Sequence, residues 1–363
     1  MSATFLTGFP GFLGVSMVER LLGRTDPDDT IHCLVQDRFR KQAETRTQTL
    51  HAAHPDGARI QLHTGDITLP DLGLGPGLSE LRPAIEAVYH FAAVYDLGVS
   101  RSLGLKVNVD GTRHMLDFAA GCPHLARFHY VSTCYVSGRH PGTFTEDMLR
   151  EGQAFNNYYE ETKYWAEVEA QRRMREGLPV TIYRPAVVVG DSTTGETQKY
   201  DGPYYIMRWM MRWKHTAPVP TIGNPDDHRL NVVPRDFVVD AMDALSQHPD
   251  GEGMVYQLSD PNPPTVRQMI ASMGRATGRN VLAIPVPARL LKKALQSVGP
   301  LRRWVQIPPE GIDYFNHPAT YPSDHTQAHL EGTEIHCPAF STYVQTLVDF
   351  VKAHPDVATK GMV

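Results

Sequence analysis

Along the first 190 residues, short apolar runs alternate with longer segments whose apolar positions recur at helical spacing. Residues 4–7, 31–35, 60–63, 88–92, 128–132 and 180–184 are short, rich in β-branched or aromatic side chains and bounded by turn formers, so each predicts a strand. Residues 12–22, 38–53, 105–120 and 156–175 predict the intervening helices. Strands alternating with helices predict a parallel sheet covered on both faces, and right-handed crossovers make it doubly wound. The expected fold class is therefore α/β.

After Gly190 the pattern changes. Residues 192–227 are rich in Gly, Pro, Tyr and Trp, and residues 203–213 crowd Tyr204, Tyr205, Ile206, Met207, Trp209, Met210, Met211 and Trp213 together. A strand is predicted at 230–233, a helix at 237–245 and a strand at 254–258. Pro-rich loops with short helices follow from 261, and a last amphipathic helix covers 342–353. The chain divides accordingly into a first unit, 1–190 plus 229–259, and a smaller, mostly helical substrate-binding unit, 191–228 plus 260–363. The Met/Trp stretch has two readings: core at helical spacing, or a lid whose soft side chains line an apolar channel together with helices beyond 261.

Composition narrows the function classes. Hydrophobic residues at 41% and charged residues at 21% describe an ordinary globular chain. A net charge of -5 argues against a nucleic-acid binder with a basic surface. No run approaches the roughly 20 apolar residues of a membrane span, so no stable membrane insertion is expected. The N-terminus enters a strand without a basic, apolar leader, and the four cysteines are scattered, as suits a reducing compartment. A cytoplasmic location is the expectation. His325 with His329, and His51 with His54, have ligand spacing but no carboxylate or cysteine beside them, so no metal is expected. Cys134 reads as a packed thiol.

Gly8, Gly11 and Gly14 form a G-x-x-G-x-x-G turn between the first predicted strand and helix, together with Pro10, Phe12 and Leu13. Gly8 permits a sharp turn, Gly11 lets backbone approach a pyrophosphate, and Gly14 lets helix and sheet pack closely. The helix N-terminus offers N–H groups and a positive dipole end to phosphates. This context makes the first unit an expected dinucleotide-binding Rossmann domain. Asp66, followed by Ile67, stands where a carboxylate could accept from an adenine amino group, although a turn aspartate explains it equally. Ala92 and Ala93 are small enough for a nicotinamide ribose to lie against the backbone. Gln36 replaces the acidic residue that would repel a 2′-phosphate, and Arg38, Arg40 and Lys41 follow, so NADP(H) is favoured over NAD(H). Those three cations are also compatible with a solvated helix start.

Tyr159 and Lys163, at i and i+4, share one helix face. A phenol is a poor acid at neutral pH, and a neighbouring ammonium would lower its pKa. Thr133 closes the fifth strand, where its hydroxyl could supply a second donor to a carbonyl oxygen. Asn108 is a candidate for steadying a water in a proton relay, or a structural asparagine.

In this order Gly8/Gly11/Gly14, Gly65-Asp66, His90-Phe91-Ala92-Ala93, Asn108-Val109-Asp110-Gly111-Thr112, Val131-Ser132-Thr133, Tyr159/Lys163 and Tyr183-Arg184-Pro185 make the chain resemble the extended short-chain dehydrogenase/reductases. By that family's pattern Thr133, and not Ser132, takes the active-site Ser/Thr place, with Tyr159 and Lys163 completing the trio and Pro185 at the cofactor. Residues 184–196, 200–204, 92–96 and 231–237 bring the likeness closer to the fatty acyl-CoA and acyl-thioester reductases of the male-sterility group. The chain departs at Gln36, where that group often carries Arg. The resemblance implies NADPH-dependent reduction of a fatty-acyl or related thioester to an aldehyde, with alcohol as a further product left open. The acyl donor, on CoA or an acyl carrier protein, is expected to arrive in trans. A dehydrogenase or reductase of a secondary alcohol or sterol, a nucleotide-sugar epimerase or dehydratase, and a non-catalytic NADP sensor are the rival readings. The oligomeric state is left open, a dimer included.

Overall fold

The computed structural model describes residues 3–55, 59–287, 289–290, 314 and 317–357. Its central sheet consists of β1 (Ala3–Thr7), β2 (Thr30–Val35), β3 (Arg59–Thr64), β4 (Ile85–His90), β5 (Arg127–Val131), β6 (Val180–Pro185) and β7 (Val255–Leu258). They lie in the order β7-β6-β5-β4-β1-β2-β3, with each pairing parallel. β6 and β7 are buried along their whole length, which is why their sequences lack a two-residue alternation. The order reverses between β1 and β4, and the crevice at such a switch point is where doubly wound folds take their ligands.

The principal helices are α1 (Phe12–Arg24), α2 (Arg40–Ala53), α3 (Gly111–Ala120), α4 (Tyr158–Arg175), α5 (Pro203–Met211), α6 (Arg235–Gln247), α7 (Val266–Thr277) and α8 (Phe340–Ala353). α1 buries Met17, Val18, Leu21 and Leu22 against the sheet. Its outer edge meets α6 through Arg20–Asp240 at 2.5 Å and Arg24–Asp243 at 2.6 Å. The helix expected over 105–120 is divided: Leu105–Asp110 is a π-helical turn, and α3 follows it. α4 begins at Tyr158, not at 156, because the Asn157 side chain accepts from Glu160 N and caps it.

A second core lies away from the main sheet. Tyr204, Met207, Trp209 and Met210 of α5 pack with Met269, Ile270 and Met273 of α7 and Val344, Leu347 and Val348 of α8. Most of the Met/Trp stretch is therefore core, and of α5 Pro203 and Tyr205 line the cavity. The spacing that crowds these side chains also turns them inward, and Trp209 Nε1 donates to Pro218 O at 2.6 Å. The strand predicted at 230–233 lies at Val232–Pro234 and pairs with Val187–Val189 outside the main sheet, whereas β7 joins the main sheet. The part of the expected substrate unit at 291–313 lies outside the described residues.

Candidate active site

A cavity of about 1630 Å³ opens at the C-terminal ends of β1, β4, β5 and β6 and runs on past residues 196–203 to α8. Gly8, Gly11, Phe12, Leu13 and Gly14 line one end, with Gln36, Arg38 and Ile67 beyond them. Ala92, Ala93, Thr133, Tyr159, Lys163 and Pro185 line its middle. Pro10, Asp66 and Asn108 are not on the wall.

The glycine turn fits a dinucleotide phosphate group. Gly8 has φ +94°, and a Cβ there would stand 2.6 Å from Phe91 Cβ; one at Gly14 would stand 2.5 Å from Gly8 O. Only glycine lets this loop close on the β4 exit. Gly11 precedes α1 as its N-cap and offers no side-chain cap, so the first-turn N–H groups remain for an anion.

At the far end, Gln36 Oε1 accepts from Arg38 Nε at 3.0 Å and from Arg38 Nη2 at 2.6 Å, while Gln36 Nε2 donates to Asp66 Oδ2 at 3.1 Å. Asp66 also accepts from Thr68 N at 2.8 Å, the bond of a turn aspartate. Arg40 is directed elsewhere, to Glu44 and Leu62 O. Arg46 lines the cavity and was not anticipated, although Arg38, Gln42 and Arg46 recur at a spacing of four that a helix turns to one side.

Tyr159 is 8% exposed and lines the cavity together with Thr133. Burial raises its pKa, the neighbouring Thr133 hydroxyl opposes that rise, and the Glu160 and Asp201 carboxylates add to it. The lowering expected from Lys163 is absent. Lys163 Nζ instead donates to Tyr130 Oη at 2.9 Å and Val131 O at 2.7 Å, because its long stem turns back to β5. Burial brings the Lys163 pKa down to about 7. Thr133 Oγ1 accepts from Tyr135 N at 3.3 Å and donates to Pro185 O at 3.4 Å, which fixes it on the loop leaving β5.

Asn108 lies behind Tyr159. Its Oδ1 accepts from Val94 N at 2.9 Å and its Nδ2 donates to Thr162 Oγ1 at 3.0 Å, the contacts of a clamp between the β4 exit and α4. Ser132 Oγ is committed to Glu167 Oε2 at 2.5 Å. Glu167 pairs with Arg184 at 2.6 Å with both side chains fully buried, and Arg184 also donates to Thr145 O, Glu146 O and Met148 O. This network fixes the loop after β5 against β6. Cys134 Sγ donates to Arg184 O, and burial pushes its thiol pKa up, which leaves it inert.

Beyond Tyr159 the wall carries Tyr95, Tyr205, Lys199 and Asp201. The Tyr95 ring stands edge-on to Tyr159 at 5.1 Å. These residues sit in irregular loops or at a helix start, where no periodicity marks them. Among the described residues no three His, Cys, Asp or Glu side chains gather to hold a metal. His325 bonds to Val255 O and His329 to Tyr256 Oη. Among the same residues no helix is long and apolar enough to cross a membrane.

A family model described as male sterility protein matches residues 6–242. A linear gramicidin synthase of Brevibacillus parabrevis is 28% identical over 284 residues, covering 75% of this chain and 5% of that protein. A Drosophila melanogaster protein named as a fatty acyl-CoA reductase is 26% identical over 223 residues, covering 51% of this chain and 41% of that one. The chain thus spans well under two thirds of the length of these relatives. The crystal structure of the terminal R domain from the myxalamid PKS-NRPS biosynthetic pathway aligns with a TM-score of 0.81 at 26% identity, covering 99% of this chain and 92% of that one. With an NAD(P)-type glycine turn at the sheet's switch point and a match over most of its length, the chain belongs to the male sterility protein family of extended short-chain dehydrogenase/reductases.

Proposed function

We propose that this protein is an NADPH-dependent reductase of acyl thioesters, with Thr133, Tyr159 and Lys163 as its catalytic residues. The observation that carries the reading is the placement of Thr133, Tyr159 and Lys163, all buried, on the wall of the same cavity that the glycine turn lines. The R-domain likeness and the fatty acyl-CoA reductase likeness both favour a thioester over a sugar or a sterol.

Gly8, Gly11, Phe12, Leu13 and Gly14 would hold the cofactor's pyrophosphate, Arg38 and Arg46 its 2′-phosphate, and Ala92, Ala93, Lys163 and Pro185 its nicotinamide end. When bound, NADPH supplies the hydride that reduces the thioester carbonyl carbon. Thr133 and Tyr159 donate to the carbonyl oxygen as it becomes negative, a stabilisation made in the transition state. Their dry surroundings strengthen both bonds, and a phenol whose pKa is raised keeps its proton until the oxygen can take it. The hemithioacetal then expels its thiol and leaves an aldehyde, so that thioester, NADPH and a proton become aldehyde, thiol and NADP⁺. Asn108 is a positioning residue that sets Val94 beside Tyr159.

The acyl donor would arrive as a CoA ester or on a carrier protein. The test is NADPH consumption with acyl-CoAs, acyl-pantetheines, sterols and nucleotide sugars in parallel, with the aldehyde trapped and identified. Turnover of a sterol or nucleotide sugar without any thioester turnover would overturn the reading.

A further inference from the structure

Just past Tyr159, the cavity wall is a polar collar. Lys199 Nζ lies 3.0 Å from Asp201 Oδ2, and both side chains are about one-fifth exposed. The same ammonium lies 4.6 Å from the centre of the Tyr95 ring, whose edge meets Tyr159. Tyr205 lies on the same wall and feels the Asp201 charge. A charged pair of this kind is a poor seat for methylenes, because an alkyl chain laid over it strips water from both ions and returns no hydrogen bond. A secondary amide suits it better: its C=O can accept from the ammonium or, with the amide turned over, its N–H can donate to the carboxylate.

Resting on the thioester-reductase reading, we propose that the Lys199–Asp201 pair makes this enzyme selective for acyl groups that carry an amide close to the thioester, as N-acyl-aminoacyl or peptidyl thioesters do, over plain alkanoyl thioesters. An extended chain advances roughly 3.5 Å per residue, so the first or second peptide group from the reacting carbonyl reaches the pair. The same cavity has apolar wall at Leu230, Phe350 and Val357, which can receive side chains or an N-acyl tail beyond the amide. Burial raises the Asp201 pKa, and the Lys199 ammonium opposes that rise.

The experiment compares two pantetheine thioesters of equal length, one alkanoyl and one N-acyl-glycyl, by NADPH consumption with the native protein. The N-acyl-glycyl substrate should show the higher kcat/KM, by at least about tenfold, since a site built for hydrogen bonds discriminates against a ligand lacking them. In Lys199→Met and Asp201→Asn, whose folding is checked by NADPH binding, that ratio should fall toward unity, chiefly through KM. Equal rates or an alkanoyl preference in the native protein overturns the selectivity and leaves the reductase reading intact. A preference that survives in both variants removes it from this pair. Absence of turnover with either thioester overturns the reductase reading itself, and this inference with it.

Discussion

Lys163 Nζ donates to Tyr130 Oη at 2.9 Å, so the ammonium one turn beyond Tyr159 is tied to β5 rather than to the neighbouring phenol. Burial holds the Lys163 pKa at about 7, against 10.5 for an ordinary lysine. Because the folded value lies below the unfolded one, the unfolded chain binds more protons between these pH values, and native stability gains as pH rises through that window. Lys163→Met removes the effect. The melting temperature of the native protein minus that of the variant should therefore rise from pH 7 to pH 10. Parallel thermal melts decide it, and a constant difference would show that Lys163 is charged throughout.

Tyr159→Phe should lower turnover by about two to four orders of magnitude, the usual loss for a positioned acid, while NADPH affinity barely changes. Tyr158, next along the chain, is 47% exposed, and Tyr158→Phe should leave the rate nearly intact. The reverse ranking in steady-state kinetics would place the acid on the wrong tyrosine.

The sheet and the glycine turn were legible because both are local. Buried parallel strands need apolar runs, and a Gly8 with φ +94° admits no side chain. Tyr159 and Lys163 could be placed on one helix face by counting, but the direction of Lys163 could not, since its partners Tyr130 and Val131 lie 33 and 32 positions away. Glu146 illustrates the same limit. It is almost fully buried, and it accepts from Gln257 N, His325 N and Thr326 Oγ1, partners more than 100 positions distant. The Met/Trp stretch lines the cavity only at Pro203 and Tyr205 for a related reason: composition gives hydrophobicity, and packing against α7 and α8 decides which side chains turn inward.

The fully buried Glu167–Arg184 pair should respond asymmetrically to mutation. Glu167→Ala strands a guanidinium with no countercharge and should cost about 3–5 kcal/mol in urea unfolding. The double variant Glu167→Met/Arg184→Met removes both charges and should cost clearly less than the single one. If the two losses simply add, the charges are not acting as a pair.

Cofactor choice turns on the far end of the cavity. Gln36 holds Arg38 through two bonds to its Oε1 and is itself held by Asp66, so a neutral residue at the end of β2 aims a cation where an acidic residue would bind ribose hydroxyls. Arg46 lines the same end. A guanidinium pairs with a phosphate through charge-assisted, two-pronged bonds, and NADH offers no such phosphate. The native protein should bind NADPH more tightly than NADH. Arg46→Ala and Arg38→Ala should each weaken NADPH by roughly tenfold, the scale of one charged hydrogen bond, while NADH affinity holds within a small factor. Gln36→Asp should go further, since it places a carboxylate against the 2′-phosphate and offers an acceptor to the ribose of NADH, which reverses the preference. Fluorescence titration of both dinucleotides against the four proteins measures this directly. Equal losses for NADPH and NADH in the arginine variants would mean that these residues support the loop and do not read the phosphate.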